Sequence, residues 1–317
     1  MHGSGGQSMA IGDTGGTGGS SAMMSGTGGL SATGGDDGQG TGGSPSAPAR
    51  CSSFASGVSQ GDLDRGAGNE ISGVVASRQH QDLLWVHNDS GDAARIYAIH
   101  TSGTLLATVE LSGVNANDYE DIAIDPQNRI YVGDIGGNAP DKLSSFEVHR
   151  FDEPLVDPTG ATGTIRVSPE RLTLNYPAGA HDAETLLVDP STGDLFVLTK
   201  TGGTSVLFRA AAPLVAGSNV TLEQVHSLEL GGELTTGGDI SPGGDWIAVR
   251  TYGSLYAWSR AAGTSVAAAM AGPQLRWEAR GEDQGEAMGF ASDGLAYFTI
   301  SEGDAVPIYR YACNGAP

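Results

Sequence analysis

The chain has 317 residues, 50 of them glycine, with 16 Lys and Arg against 37 Asp and Glu, a net charge of -21 and two cysteines. That balance argues against a nucleic-acid or anionic-membrane partner, whose binding relies on clustered Lys and Arg to displace counterions. No stretch approaches the roughly 18 apolar residues a membrane-spanning helix requires.

Residues 1–50 are almost entirely Gly, Ser, Thr and Ala, with runs such as Gly15-Gly16-Thr17-Gly18-Gly19 and no apolar periodicity. This is the composition of a flexible tether, which leaves 51–317 as one folded domain. Met1 to Leu30 supply neither the basic start nor the apolar core of a secretory signal. A Gly/Ser tether of this kind commonly follows such a signal, so the reading is an extracellular, cell-surface or periplasmic protein whose export signal lies upstream of this sequence. The alternative is a cytoplasmic protein with a floppy tail.

From residue 51 onward, runs of four to seven residues rich in Val, Ile, Leu, Tyr, Phe and Trp end in Gly, Asp, Pro or Asn, and no long stretch has helical periodicity. These are strand and turn signals. Aligned on an acidic residue before a strand, a repeat emerges with starts at Glu70, Glu120, Glu184, Gly238-Asp239 and Glu286. Turns follow at Asp125-Pro126, Asp189-Pro190, Ser241-Pro242 and Ser292-Asp293, then second runs at Leu83–Val86, Ile130–Val132, Leu195–Leu198, Trp246–Val249 and Leu295–Phe298. Third runs include Arg95–Ile99, Ser205–Arg209, Ser254–Trp258 and Pro307–Tyr311, and fourth runs Leu105–Leu111 and Val220–Leu230. Four antiparallel strands recurring roughly every 50 residues predict an all-β, five-bladed β-propeller.

After Glu286 only three strands remain, whereas residues 51–61 form an orphan strand before the first start. The 31 residues after Glu286 and the 19 from Cys51 to Asn69 together make one blade. The N-terminal strand therefore closes the last blade, and hairpin geometry brings Cys51 to Cys313 for a disulfide. The alternative is two unrelated free thiols. A closed propeller exposes few strand edges and is expected to be a monomer.

In a propeller the first strand is innermost, so its opening residues ring the channel mouth, and the second strand returns to the same mouth. Glu70, Glu120, Glu184 and Glu286, with Asp121 and Asp239, are the candidate metal ligands there; Asp89, Asp118, Asp134 and Asp182 flank them. Oxygen-only ligands suit calcium. The competing reading is that each acid caps the backbone of its own blade or pairs with Lys200 and Arg250. Those two bases close neighbouring hairpins and would clamp a phosphate, sulfate or carboxylate, with His181 and Tyr252 as further ligand contacts. If the protein is an enzyme, Asp89, Asp134 and His87 take acid and base roles. No Gly-x-Ser-x-Gly elbow, Walker loop, Rossmann glycine pattern or zinc-finger spacing is present.

The segments Trp85-Val86-His87-Asn88-Asp89-Ser90-Gly91, Asp118-Tyr119-Glu120-Asp121-Ile122-Ala123, Gly133-Asp134-Ile135-Gly136-Gly137-Asn138 and His181-Asp182-Ala183-Glu184-Thr185-Leu186-Leu187 resemble exported bacterial β-propeller proteins. More distantly they are similar to calcium-dependent β-propeller phytases and phytase-like esterase domains. The resemblance is best over residues 70 to about 200 and fades in the fourth blade, where Gly238 stands in place of a glutamate. It implies export and an acidic, cation-binding face. Those phytases have six blades, so their catalytic residues are not carried over. The expected function is binding of calcium and of a small anionic or polyhydroxylated ligand at the mouth. The alternatives are a metal-dependent hydrolase of phosphoesters or glycans, and a structural or adhesive module on a stalk.

Overall fold

The computed structural model describes residues 51–137, 143–158, 163–282 and 284–315. Residues 1–50, expected to be a tether, lie outside them, as do Asn138 and Lys142.

Five sheets are arranged around a channel as the blades of a propeller. Blade 1 runs Ile71–Ala76, Leu83–Asn88, Arg95–His100 and Leu105–Leu111, from the channel outward. Blade 2 is Tyr119–Ile124, Arg129–Asp134, Ser145–Asp152 and Glu170–Asn175; blade 3 is Ala183–Val188, Leu195–Thr199, Thr204–Ala210 and Glu223–Glu229. Blade 4 is Thr235–Ile240, Trp246–Thr251, Leu255–Ser259 and Leu275–Trp277. Blade 5 takes Gly285–Phe290, Ala296–Ser301 and Pro307–Ala312 from the end of the chain. Its outer strand is Val58–Asp62, antiparallel to Pro307–Ala312. Cys51 and Cys313 form a disulfide with a Cα–Cα distance of 5.5 Å.

All five inner strands are buried along their whole length, each packed on the next around the ring. Apolar residues therefore run continuously along them, because both faces of each strand meet a neighbouring blade. The core is five wedges, one between each pair of adjacent blades. The wedge between blades 4 and 5 is aromatic, with Tyr297 stacked on Tyr311 at 4.3 Å and Trp277 on Tyr297 at 5.4 Å.

Two connections differ from the expected pattern. The run Val220–Leu230 is not one strand. Asn219–Thr221 pairs in parallel with Glu170–Asn175 of blade 2, and only Glu223–Glu229 belongs to blade 3. Likewise Gly163–Val167, after blade 2's third strand, pairs in parallel with Leu105–Leu111 of blade 1. Each segment reaches back to the preceding blade and covers its edge. A buried bidentate pair, Arg260 Nη1 and Nη2 on Asp189 Oδ1 and Oδ2 at 2.8 and 2.7 Å, ties blade 4 to blade 3.

The inner strands share a feature that no strand periodicity reveals. Each carries a β-bulge one residue after its first paired position, at Ser72, Glu120, Glu184, Thr236 and Glu286. A bulge leaves one residue unpaired and re-aims its side chain. Here the same device is repeated in every blade at the same end of the channel.

Candidate cation-binding basin

The bulges set the correct alignment of the blades. Three bulge residues are glutamates and two are hydroxyls, which lock the ring: Ser72 Oγ donates to the Glu120 carbonyl at 2.6 Å and Thr236 Oγ1 to that of Glu286 at 3.1 Å. Two residues before each bulge stand Glu70, Asp118, Asp182, Leu234 and Gln284. Opposite these, at the close of the second strands, the amides of Asp89, Gly136, Lys200 and Glu302 donate to the carbonyls of Glu70, Asp118, Asp182 and Gln284. Tyr252 follows Thr251, the last paired residue of its strand in blade 4. Three tiers of five positions therefore surround one mouth.

Glu70 consequently belongs to the same tier as Asp118 and Asp182, and it is exposed rather than among the buried glutamates. The position matching Glu120 in blade 4 is Thr236, not Gly238.

Carboxylate oxygens converge in two groups, Asp89, Asp118 and Glu120, and Glu120, Asp182 and Glu184, with ligand atoms inside each group within 4.8 Å of one another. Glu120 is common to both. Glu120 and Glu184 are only 1% and 2% exposed. Burial pushes Glu120 well above the usual carboxylate range, and the nearby charge of Glu184 adds to it. Burial likewise raises Glu184 to about 7, although Lys200 Nζ, 2.6 Å from its Oε1, works the other way. Burial and Glu184 thus both favour the protonated form of Glu120, which is hydrogen-bonded to Glu184. Burial and then Asp89 lift Asp118 to about 6, and burial also raises Asp89.

On the far side of the basin, burial and then Glu184 push Glu286 up to about 8. Its Oε2 is buried without a hydrogen-bond partner. Such an orphaned oxygen is costly unless something donates to it. Lys200, the basin's cation, lies 5.4 Å from the Tyr252 ring centroid; burial opposes its charge, but Glu184 more than compensates and raises its pKa.

Gly136 makes the crowding sterically feasible. Where its neighbours in the tier carry side chains, a Cβ here would collide with Glu120 Oε1 and Asp118 Oδ2. The substitution Gly136→Ala is expected to displace both carboxylates and so to break up the convergent oxygen set, with the melting temperature in chelator falling by only a few degrees. Thermal melts in chelator and with added divalent cation check this.

Several residues expected at the mouth serve the scaffold instead. Asp121 is fully buried; its Oδ1 accepts from the Ile122 amide and its Oδ2 from the amides of Leu186 and Gly238, which joins blades 2, 3 and 4. Asp239 accepts from Ile240 and Phe290 and joins blades 4 and 5. Neither has a carboxylate free for a metal. Asp134 accepts from the Asn117 side chain at 2.7 Å and the Asp118 amide at 2.8 Å, so it holds the loop that presents Asp118. His87 is fully buried, with Nδ1 2.8 Å from the Asn88 carbonyl and its ring edge-on to Tyr119. Burial depresses it to about 4, so it stays neutral and is remote from solvent chemistry. His181 packs on Tyr176 and Phe208, with Nε2 against the Ala178 carbonyl. Arg250 is fully buried and ion-paired with Glu282 beneath Gly285. It does not join Lys200 in an anion clamp. Of the expected residues the basin collects Glu120, Glu184, Glu286, Asp89, Lys200 and Tyr252.

No family model matches the chain, and no curated protein matches it. Among solved structures it is similar to the PQQ-bound aldose sugar dehydrogenase of Streptomyces coelicolor, with TM-score 0.48 and 11% identity over 81% of this chain and 98% of that one. It is also similar to the Cps50 (Swd1) β-propeller domain of Myceliophteria thermophila, with TM-score 0.44 and 12% identity over 82% of this chain and 100% of that one.

Proposed function

We propose that the basin binds calcium through Asp89, Asp118, Glu120, Asp182 and Glu184, and through that cation a small polyhydroxylated ligand. The observation that carries this reading is the convergence of five carboxylates from three blades on the shared Glu120. Five acids gathered this closely repel unless protonated or neutralised by a cation, and an all-oxygen donor set of mono- and bidentate carboxylates suits calcium. Lys200 is engaged by Glu184 and Arg250 by Glu282, so no pair of free bases waits for a phosphate. The remaining acceptors, with the orphaned Glu286 Oε2, suit a ligand rich in hydroxyl donors. The disulfide fits an oxidising compartment, and we read the protein as exported.

The test is thermal denaturation of chelator-treated protein. Calcium at about 100 times its Kd contributes about 2.7 kcal/mol, which raises the melting temperature by about 5 °C or more for a domain of this size. Glu120→Gln is expected to abolish the rise, because it removes the charge of the carboxylate common to both groups and puts an NH2 in place of one of its oxygens. Glu70→Gln is expected to keep it. A rise of equal size in Glu120→Gln would overturn the assignment.

A second reading, a metal-dependent hydrolase of phosphoesters, rests on Asp89, whose raised pKa beside the carboxylate cluster suits an acid-base role. Calcium-dependent turnover of aryl phosphates that is lost in Asp89→Asn would favour it over binding alone.

A further inference from the structure

The inner strands run from the basin to turns at Pro126, Pro190 and Pro242, so the channel has a second mouth at the opposite end. A cup of about 110 Å³ opens there, contributed by four blades. Its walls are Ile124, Val188 and Ile240 with the three turn prolines, and Arg78 supplies its charge.

Four other arginines that line clefts on the same face are ion-paired. Arg129 pairs with Asp125, Arg150 with Glu170, Arg209 with Asp194, and Arg260 with Asp189. Among the described residues the Arg78 guanidinium makes no ion pair, and its Nη1 is buried without a partner. The acids around it are occupied by other donors. Asp239 accepts from two backbone amides. Asp125 accepts from the Gln127 and Arg129 amides, the Arg129 side chain and the Tyr131 hydroxyl. Glu153 accepts from Trp85 Nε1 and from the backbone amide of Arg78. Burial works against the guanidinium's charge and lowers its pKa, while these acids favour the charge from a distance without satisfying its donors.

We propose that this far mouth is a binding site for a small monocarboxylate, independent of the acidic basin. A guanidinium fork matches a carboxylate in plane and spacing, and apolar walls strengthen the attraction by excluding water. The aliphatic and proline walls accept a short alkyl group. A cup of this size is well below the roughly 300 Å³ at which drug-sized pockets begin, so it admits a carboxylate with one or two carbons and excludes a branched or aromatic acid. The surrounding acids keep the affinity low, in the millimolar range.

The experiment is a titration of the full chain with acetate, exchanged for pivalate at constant ionic strength, followed by the Arg78 Nε–Hε signal in a nitrogen–proton correlation spectrum. Arg78→Lys assigns the signal. A saturable shift with acetate and formate is expected, together with an acetate-dependent rise in melting temperature that is lost in Arg78→Met and kept in Glu120→Gln. A shift that fails to saturate, or a melting rise that persists in Arg78→Met, would overturn the proposal. Should Arg78→Met not fold, the wild-type titration decides alone.

Discussion

Replacing both Cys51 and Cys313 by alanine is expected to destabilise the folded domain by about 5 kcal/mol, a large part of what a single domain has in total. The bridge spans 262 residues, nearly the whole domain, so its removal releases the largest loop this chain can form. In the chain-entropy account a closure of that length restricts the unfolded ensemble by the stated amount, since the effect grows with the logarithm of loop length. The native side adds to it. Cys51 is 2% exposed, its carbonyl accepts from Trp246 Nε1 at 2.8 Å, and Phe54 pairs with Cys313 and packs on Trp277 and Tyr297. The first residues of the domain are thereby stapled into the wedge between blades 4 and 5, directly ahead of Val58–Asp62, the strand that completes the ring. Urea unfolding of oxidised, reduced and double-alanine protein measures the effect. The reduced and mutant forms should share one lowered midpoint. An unchanged midpoint on reduction would show that the outer strand of blade 5 holds without the bridge.

The propeller was legible because each blade reports itself locally. Turn residues such as Asp189-Pro190 punctuate the chain where hairpins reverse, and the deficit of one strand after Glu286 equals the surplus before Glu70. Segments 163–167 and 219–221 were not legible, because a parallel edge strand lent to a preceding blade leaves no periodic trace of which sheet it joins. The site was half legible. Aligning on the acids alone equated Glu70 with Glu120, whereas the bulges equate Ser72 with Glu120. The signal that would have separated them is the Asp-x-Glu spacing shared by Asp118-Tyr119-Glu120 and Asp182-Ala183-Glu184, which appears in blade 1 as Glu70-Ile71-Ser72. Asp121 and Asp239 misled for a physical reason. A buried carboxylate that collects amides from neighbouring blades has the same sequence appearance as one that faces a metal, and only the donors around it decide. Arg250 did so likewise, since Glu282 lies 32 residues away in a connection without strand character.

Metal-free protein is expected to lose stability steadily as pH rises from 6.5 to about 8, and calcium to reverse the trend. Glu184 and Glu286 hold their protons in the folded state up to about 7 and 8. Unfolded, they release them near the ordinary glutamate value of 4.5. The folded state therefore binds more protons than the unfolded state across this window, and stability falls with pH wherever that is so. The contribution is complete below the unfolded value and disappears as pH passes the folded ones. Asp118, at about 6, has largely titrated before the window opens. His87 runs in the opposite sense. Its folded value near 4 lies below the ordinary 6.5, so it removes stability as pH falls between those limits and is silent above them. The interval above 6.5 thus leaves out Asp118 and His87 and keeps Glu184 and Glu286, with Glu120 and Asp121, which burial pushes well above the carboxylate range, acting in the same sense. Each pK unit is worth about 1.4 kcal/mol, so two groups displaced by several units produce a slope that melting curves resolve. Glu286→Gln is expected to remove most of the slope above pH 7 that these two groups supply and to cut it by about half near pH 6.5, because both glutamates still hold their protons there. On the proposed reading, calcium would supply the positive charge that lets the basin ionise, so its binding is expected to release protons and to tighten with pH. Calcium-free melting temperatures that are flat or rising between pH 6.5 and 8 would mean that the basin carboxyls are already ionised without a cation, and the repulsion on which the cation reading rests would be gone.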